Sequence, residues 1–202
     1  MENMKGNLVN IGLILLVGLL FLTACFKIAR APGVEVRTVN CDELPTLLDS
    51  VHKQDQIVRT DHSISFRETV NKDYENLSTV VSILESCGMP GLDQLTQTQF
   101  NAIWMVLHHS PESQYMKKYF PLLKEAKEKG DMRPGDFATV QDRVLMNKRK
   151  PQIYGTQISR GRLYKLKDPE YVNQRREEVG LSPIEDYLRF FDIDFEVEQK
   201  VK

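Results

Sequence analysis

This chain is short of the features that usually name a reaction. Its 202 residues include three cysteines, too few for a metal site built on cysteine alone, which takes four. Neither charge is in excess. The 27 Lys and Arg face 28 Asp and Glu, a net charge of −1, which gives no support for nucleic-acid binding, since that wants a basic face. The one basic cluster, Lys148-Arg149-Lys150, is short and reads as a solvated helix end. No repeat of fixed period is visible, so a solenoid is excluded. There is no nucleophile elbow, no Gly-rich phosphate loop and no zinc-protease helix. No metal or cofactor is therefore called for. A long hydrophobic run occurs once, at residues 8–24.

That run follows a short start carrying Glu2 and Lys5 and closes on Leu22-Thr23-Ala24-Cys25. Basic residue, apolar core, small residues and then cysteine is an order that resembles the lipobox of bacterial lipoproteins. The resemblance implies cleavage before Cys25 and a lipid on its thiol. Small residues let a peptidase grip extended backbone, and a thiol takes up diacylglycerol. Two other readings share the run. It is at the short end of the roughly 17–25 residues that span a bilayer, and a plain secretory signal would not require a cysteine at this point. Phe26-Lys27 lacks the Asp that often signals inner-membrane retention, so the outer membrane or cell surface is expected ahead of the inner membrane. The expected partners are the membrane, through lipidated Cys25, and a small molecule or an envelope protein.

Removing residues 1–24 takes away one base and one acid, so the balance stays at −1. The rest fits one domain with a real core. Residues 25–40 have no clear period and read as a lipid anchor and tether, 41–191 as a helical domain, and 192–202 as a polar tail that frays. Cys41 and Cys87 remain in a compartment that permits disulfides; pairing and two buried free thiols are both open.

The first helix is expected from Asp42, with Pro45 in its first turn and an apolar stripe of Leu44, Leu48, Val51, Ile57 and Val58. Asp55 falls on that stripe and must find a partner there; Arg59, one turn on, is at the right spacing. A second helix fits residues 65–86, with Phe66, Val70, Leu77, Val81 and Leu84 inward. Thr96 and Gln99 have capping-box spacing and open a third, ending in His108-His109. Ser110 and Pro111 open a fourth that contains Pro121 and stops at Gly130. A fifth spans 134–147. Residues 153–158 and 162–166 form a hairpin, and two short helices follow. The fold class is mainly α: a single helical domain of six to seven helices with one short β-hairpin after the fifth.

His108-His109 is the first candidate for chemistry. Adjacent histidines point about 100° apart on a helix, so the pair is a poor metal clamp. Residues 151–157 gather two amides, a phenol, a hydroxyl and a glycine, which suits either a pocket lining or a hairpin edge.

Several segments resemble a widespread bacterial domain family of unknown function. The matching residues are Asp55-Gln56 with Arg59, Gly88-Met89-Pro90-Gly91, His108-His109-Ser110 with Gln114, Asp142-Arg143-Val144, and residues 151–157. Arg175-Arg176 and Gly180-Leu181 also fit. The family normally has a residue other than His at the position of His108, so His109 is the matched histidine. The resemblance implies no reaction, but its marks are polar and come from separate segments. They imply either one polar pocket or one buried network. As an enzyme of hydrolase or transferase type, the domain would use His109 as general acid or base, since a histidine ordinarily titrates near working pH. Asp142 or Asp55 would orient it. As a binding domain, it would hold a polar or anionic ligand with Arg59, Gln114, Arg143, Gln152, Tyr154, Thr156 and Gln157.

Overall fold

Asn40 accepts a hydrogen bond from the Asp42 amide and starts a 3-10 turn, Cys41–Glu43, that runs into helix α1 (Leu44–Thr60). Pro45 sits in the first turn, where its missing N–H is not needed. The structure is a computed structural model that describes residues 33–201, so the signal and Cys25 lie outside the described residues. Leu44, Leu48, Val51 and Asp55 are the buried stripe of α1. Ile57, expected inward, is 41% exposed: the stripe ends on the carboxylate, one turn before the helix does.

Helix α2 (Phe66–Cys87) opens with a Ser65/Glu68 capping box. Phe66 was expected in the core but is 85% exposed, at the first residue of α2 and ahead of that helix's first buried position, Tyr74. Gly88, at φ 75°, provides the left-handed stop that other residues resist. Helix α3 (Gln97–His109) has the expected Thr96/Gln99 box. Helix α4 (Ser113–Lys129) starts two residues later than a Ser110 cap with Pro111 in the first position suggested. The Ser110 hydroxyl instead closes a turn on Glu112, accepting from its amide and donating to its carbonyl. Pro121 lies inside α4, which continues through it. Helix α5 (Pro134–Asn147) has its expected limits. Helix α1 packs on α2 and α3, α4 packs on α5, and α3 touches α2, α4 and α5. Leu48, Leu77, Phe100, Ile103 and Leu123 are fully buried in this core.

Cys41 and Cys87 form a disulfide that ties the first turn to the end of α2. The stretch before it is docked rather than loose. The amides of Glu35, Arg37 and Val39 donate to the hydroxyls of Ser78, Ser82 and Ser86 at 3.1, 2.9 and 3.2 Å. Two extended residues rise about 6.6 Å and four helical residues about 6 Å, so alternate amides meet a serine on each successive turn.

The hairpin is shorter than expected: β1 (Ile158–Ser159) pairs antiparallel with β2 (Arg162–Leu163). Residues 153–157 are held by side chains instead. After the 3-10 turn Pro169–Tyr171 come α6 (Val172–Glu178) and α7 (Ile184–Arg189). A second, small core joins Val172, Ile184 and Leu188. The tail does not fray: Ile193 and Phe195 pack on this core, and the Lys200 amide donates to the Glu170 carbonyl at 2.7 Å. The described residues thus form seven α-helices with one two-stranded hairpin after the fifth. No described helix is long and apolar enough to cross a membrane.

Candidate functional site

Two polar clusters emerge from residues that the sequence reading gathered into one pocket or one network. The first gathers at the ends of α1 and α3. Helical spacing on α1 sets Arg59 one turn beyond Asp55, with its Nη2 3.2 Å from Asp55 Oδ1. The same nitrogen meets Asp73 Oδ1 of α2 at 2.5 Å. His109, the last residue of α3, has its Nδ1 2.9 Å from Asp55 Oδ1. Arg59 Nε is 3.2 Å from that same Nδ1. One nitrogen cannot both donate and accept; the shorter, charge-assisted contact makes Nδ1–H the donor to Asp55. Nε2 is then the nitrogen left to take up or release a proton.

Asp55 is 1% exposed, whereas the His109 side chain is 25% exposed. A buried carboxylate therefore orients an imidazole that solvent can reach. Burial pushes the Asp55 carboxyl up, but the His109 hydrogen bond and the charges of His109 and Arg59 outweigh it and hold it below its usual value. Asp73 goes the other way: burial outweighs Arg59 and raises it. Beside them, His108 Nε2 lies 3.1 Å from Arg143 Nη2 of α5. Burial, and then the Arg143 charge, push His108 well below its ordinary value, so the ring is neutral and accepts from Arg143.

The second cluster is the 151–157 loop. Asp142 of α5 accepts from the amides of Ile153, Tyr154 and Thr156 and from the Thr156 hydroxyl, at 2.6 to 3.2 Å. Gln152 pairs with the backbone of Gln157 and donates to the Tyr164 carbonyl. Gln157 Nε2 donates to the Thr139 carbonyl and the Thr156 hydroxyl. Arg176 clamps the Tyr154 and Ser182 carbonyls, and Arg175 those of Ile153, Lys167 and Asp168. Asp142, Gln152, Thr156 and Gln157 are all buried. These side chains are occupied in holding backbone, and no hydrogen bond joins them to His109 among the described residues. Gln114 is exposed and bonded to Glu112.

Sequence reasoning missed Asp73, although the signal was present. It sits three residues after Val70 and four before Leu77, on the inward stripe, as Asp55 does on α1. The pairing of His108 with Arg143 had no such signal, because it joins helices 35 residues apart.

A helical domain whose polar marks split between a buried acid–histidine–arginine cluster and a side-chain-braced loop is the class the fold and site define. The chain belongs to a family of unknown function, DUF6624, whose model matches residues 71–202. The match includes both histidines, the braced loop and the docked tail, and begins after Asp55 and Arg59. No curated protein and no solved structure matches the chain.

Proposed function

We propose that the chain is a bacterial lipoprotein, anchored through Cys25 to a membrane of the cell envelope, the outer membrane or cell surface ahead of the inner one. Its helical domain binds a small polar or anionic ligand at the cluster of His109, Asp55 and Arg59. The observation that carries the binding site is the contrast between a carboxylate 1% exposed and the side chain of its histidine partner, 25% exposed. Such a pair spends a buried charge on orienting a reachable ring, which a core needing only packing would not require. The Cys41–Cys87 pairing supports an oxidising compartment, in keeping with the lipobox-like Leu22-Thr23-Ala24-Cys25.

Two measurements test the two halves. Radiolabelled palmitate should enter the wild-type chain and not Cys25→Ser; equal labelling of both defeats the anchor. A metabolite library screened by thermal shift should yield ligands that stabilise the wild type and not His109→Ala. Ligands that stabilise both equally place the site elsewhere.

The contact between Asp55 and His109 Nδ1 also favours a second reading, an acid–base enzyme. A carboxylate on Nδ1 fixes the tautomer and frees Nε2 for proton transfer. Asp55, rather than Asp142, would then orient the base, since the Asp142 oxygens already serve the loop. Turnover of a stabilising ligand by the wild type and not by His109→Ala would favour the enzyme.

A further inference from the structure

Arg143 differs from every other arginine bound into the folded core. Arg59 meets two carboxylates. Arg175 and Arg176 donate to backbone carbonyls that carry no formal charge but satisfy their forks. Arg143 is half-buried, and among the described residues no carboxylate lies within ion-pair distance of it. The one hydrogen bond its side chain makes is to a neutral ring, His108. Two N–H groups here are buried without a partner: Arg143 Nε and His108 Nδ1. Burial lowers the Arg143 pKa against a smaller opposing influence of the Tyr187 phenol, whose hydroxyl donates to the Thr156 carbonyl at 2.8 Å.

A guanidinium withdrawn from water with no anion is a costly arrangement, and buried donors are nearly always paired. An anion on the guanidinium would supply the missing counter-charge and an acceptor for the Arg143 donors. We propose that Arg143, backed by His108, is the anion-recognising residue of this domain, and that its ligand carries a phosphate or carboxylate group. The Arg143 guanidinium gives one Nη2 bond to His108 and keeps further N–H groups for such a group. His108, neutral and accepting at Nε2, holds the guanidinium in place without neutralising it. Arg59 cannot take this part, because Asp55 and Asp73 already cancel its charge. The inference deepens the proposed ligand site beside His109 and rests on it.

The test is calorimetric titration of the full-length chain in detergent with inorganic phosphate, and separately with citrate as a carboxylate probe. At least one should bind saturably, and Arg143→Gln should weaken it by about tenfold or more, the loss of a charge-assisted bond. Arg143→Lys keeps the charge but not the fork, and should retain part of the affinity. It also controls for a folding failure in the Gln variant. His109→Ala separates the two claims. If it abolishes binding while Arg143→Gln and Arg143→Lys leave it intact, the ligand site stands and the assignment to Arg143 falls. If all three variants bind as the wild type does, both fall. Absence of saturable binding of either probe to the wild type overturns the anionic class.

Discussion

Gln152 grips the backbone of Gln157 on both sides of its Cα: its Oε1 accepts from the Gln157 amide at 2.8 Å, and its Nε2 donates to the Gln157 carbonyl at 3.1 Å. A side-chain amide here does what a neighbouring strand would do. On its other side Gln152 is bridged by backbone, its amide to the Lys165 carbonyl at 2.9 Å and its carbonyl to the Lys167 amide at 2.8 Å. The polar residues at 152–157 thus build a short sheet-like layer from side chains. The second core, three fully buried aliphatic residues with their partial neighbours, is small, so these polar ties locate the loop. Buried polar groups of this kind must all be satisfied or none gained.

Asp142 anchors that layer, and Asp142→Asn should show it. The amide nitrogen of Asn would face backbone N–H groups that now have an acceptor. Stranding even one buried donor costs on the order of 1–3 kcal/mol. Denaturant melts should lose at least about 2 kcal/mol, with amide exchange quickening at residues 153, 154 and 156. A loss under about 0.5 kcal/mol would mean that water reaches those donors.

Gly155 should be equally intolerant, for a steric reason. Its φ is 72°, and a Cβ there would stand 2.4 Å from Ile184 Cδ1 in the second core. Gly155→Ala combines left-handed strain with overpacking, together about 2–4 kcal/mol. The companion Ile184→Ala relieves the clash. A double mutant no better than the sum of its parts would remove the contact as the cause.

Much of the helical frame was legible because it depends on local signals. The Thr96/Gln99 box, Pro134 at the start of α5 and the apolar stripes are each written within a turn or two of the residues they order. Asp55 could be singled out because a charge interrupts a stripe, and its partner Arg59 was one turn away. What failed depends on contacts distant in sequence. Ile57 and Phe66 continue their helical pattern, yet each lies outside the buried stretch of its helix, which ends at Asp55 in α1 and begins at Tyr74 in α2. The docking of Glu35, Arg37 and Val39 on Ser78, Ser82 and Ser86 spans more than forty residues. No single-segment pattern marks it, although a serine every fourth residue on a helix is the visible half. The polar residues from four segments were expected to converge on one place. His109 did reach Asp55, while those of the 151–157 loop turned to backbone, because unpaired loop amides needed acceptors nearer than any ligand.

The disulfide and the serine ladder act on the same end of the domain, and they can be separated. The Cys41–Cys87 bridge closes a loop of 46 residues, and constraining such a loop in the unfolded chain is worth about 4 kcal/mol. Reductant, or Cys41→Ser with Cys87→Ser, should lower stability by that order. Ser82→Ala leaves the Arg37 amide without its acceptor and should cost about 1 kcal/mol. It should also speed exchange of the Arg37 amide with the disulfide intact. Unchanged exchange at that amide would show that the hydroxyl bond adds no protection.

Asp55 and Asp73 share one guanidinium and should answer acid in opposite senses. The Asp55 carboxyl is held below its usual value. Its contribution to stability is therefore present above the unfolded value of about 3.9 and is lost as pH falls through the lower folded value. Asp73 is raised, so whatever its protonated form contributes is lost as pH climbs through its folded value. Asp55→Asn should cost on the order of 1–3 kcal/mol at neutral pH. That is less than the 3–5 kcal/mol expected when a buried cation loses its only partner, because Arg59 keeps Asp73. Below about pH 4 the gap between wild type and Asp55→Asn should begin to narrow, and Asp73→Asn should not reproduce that narrowing. Urea melts from about pH 3 to about pH 7 would decide it. A gap that stays constant across that range would mean that Asp55 gains nothing from ionising in the folded state, and the orienting role given to it beside His109 would fall with it.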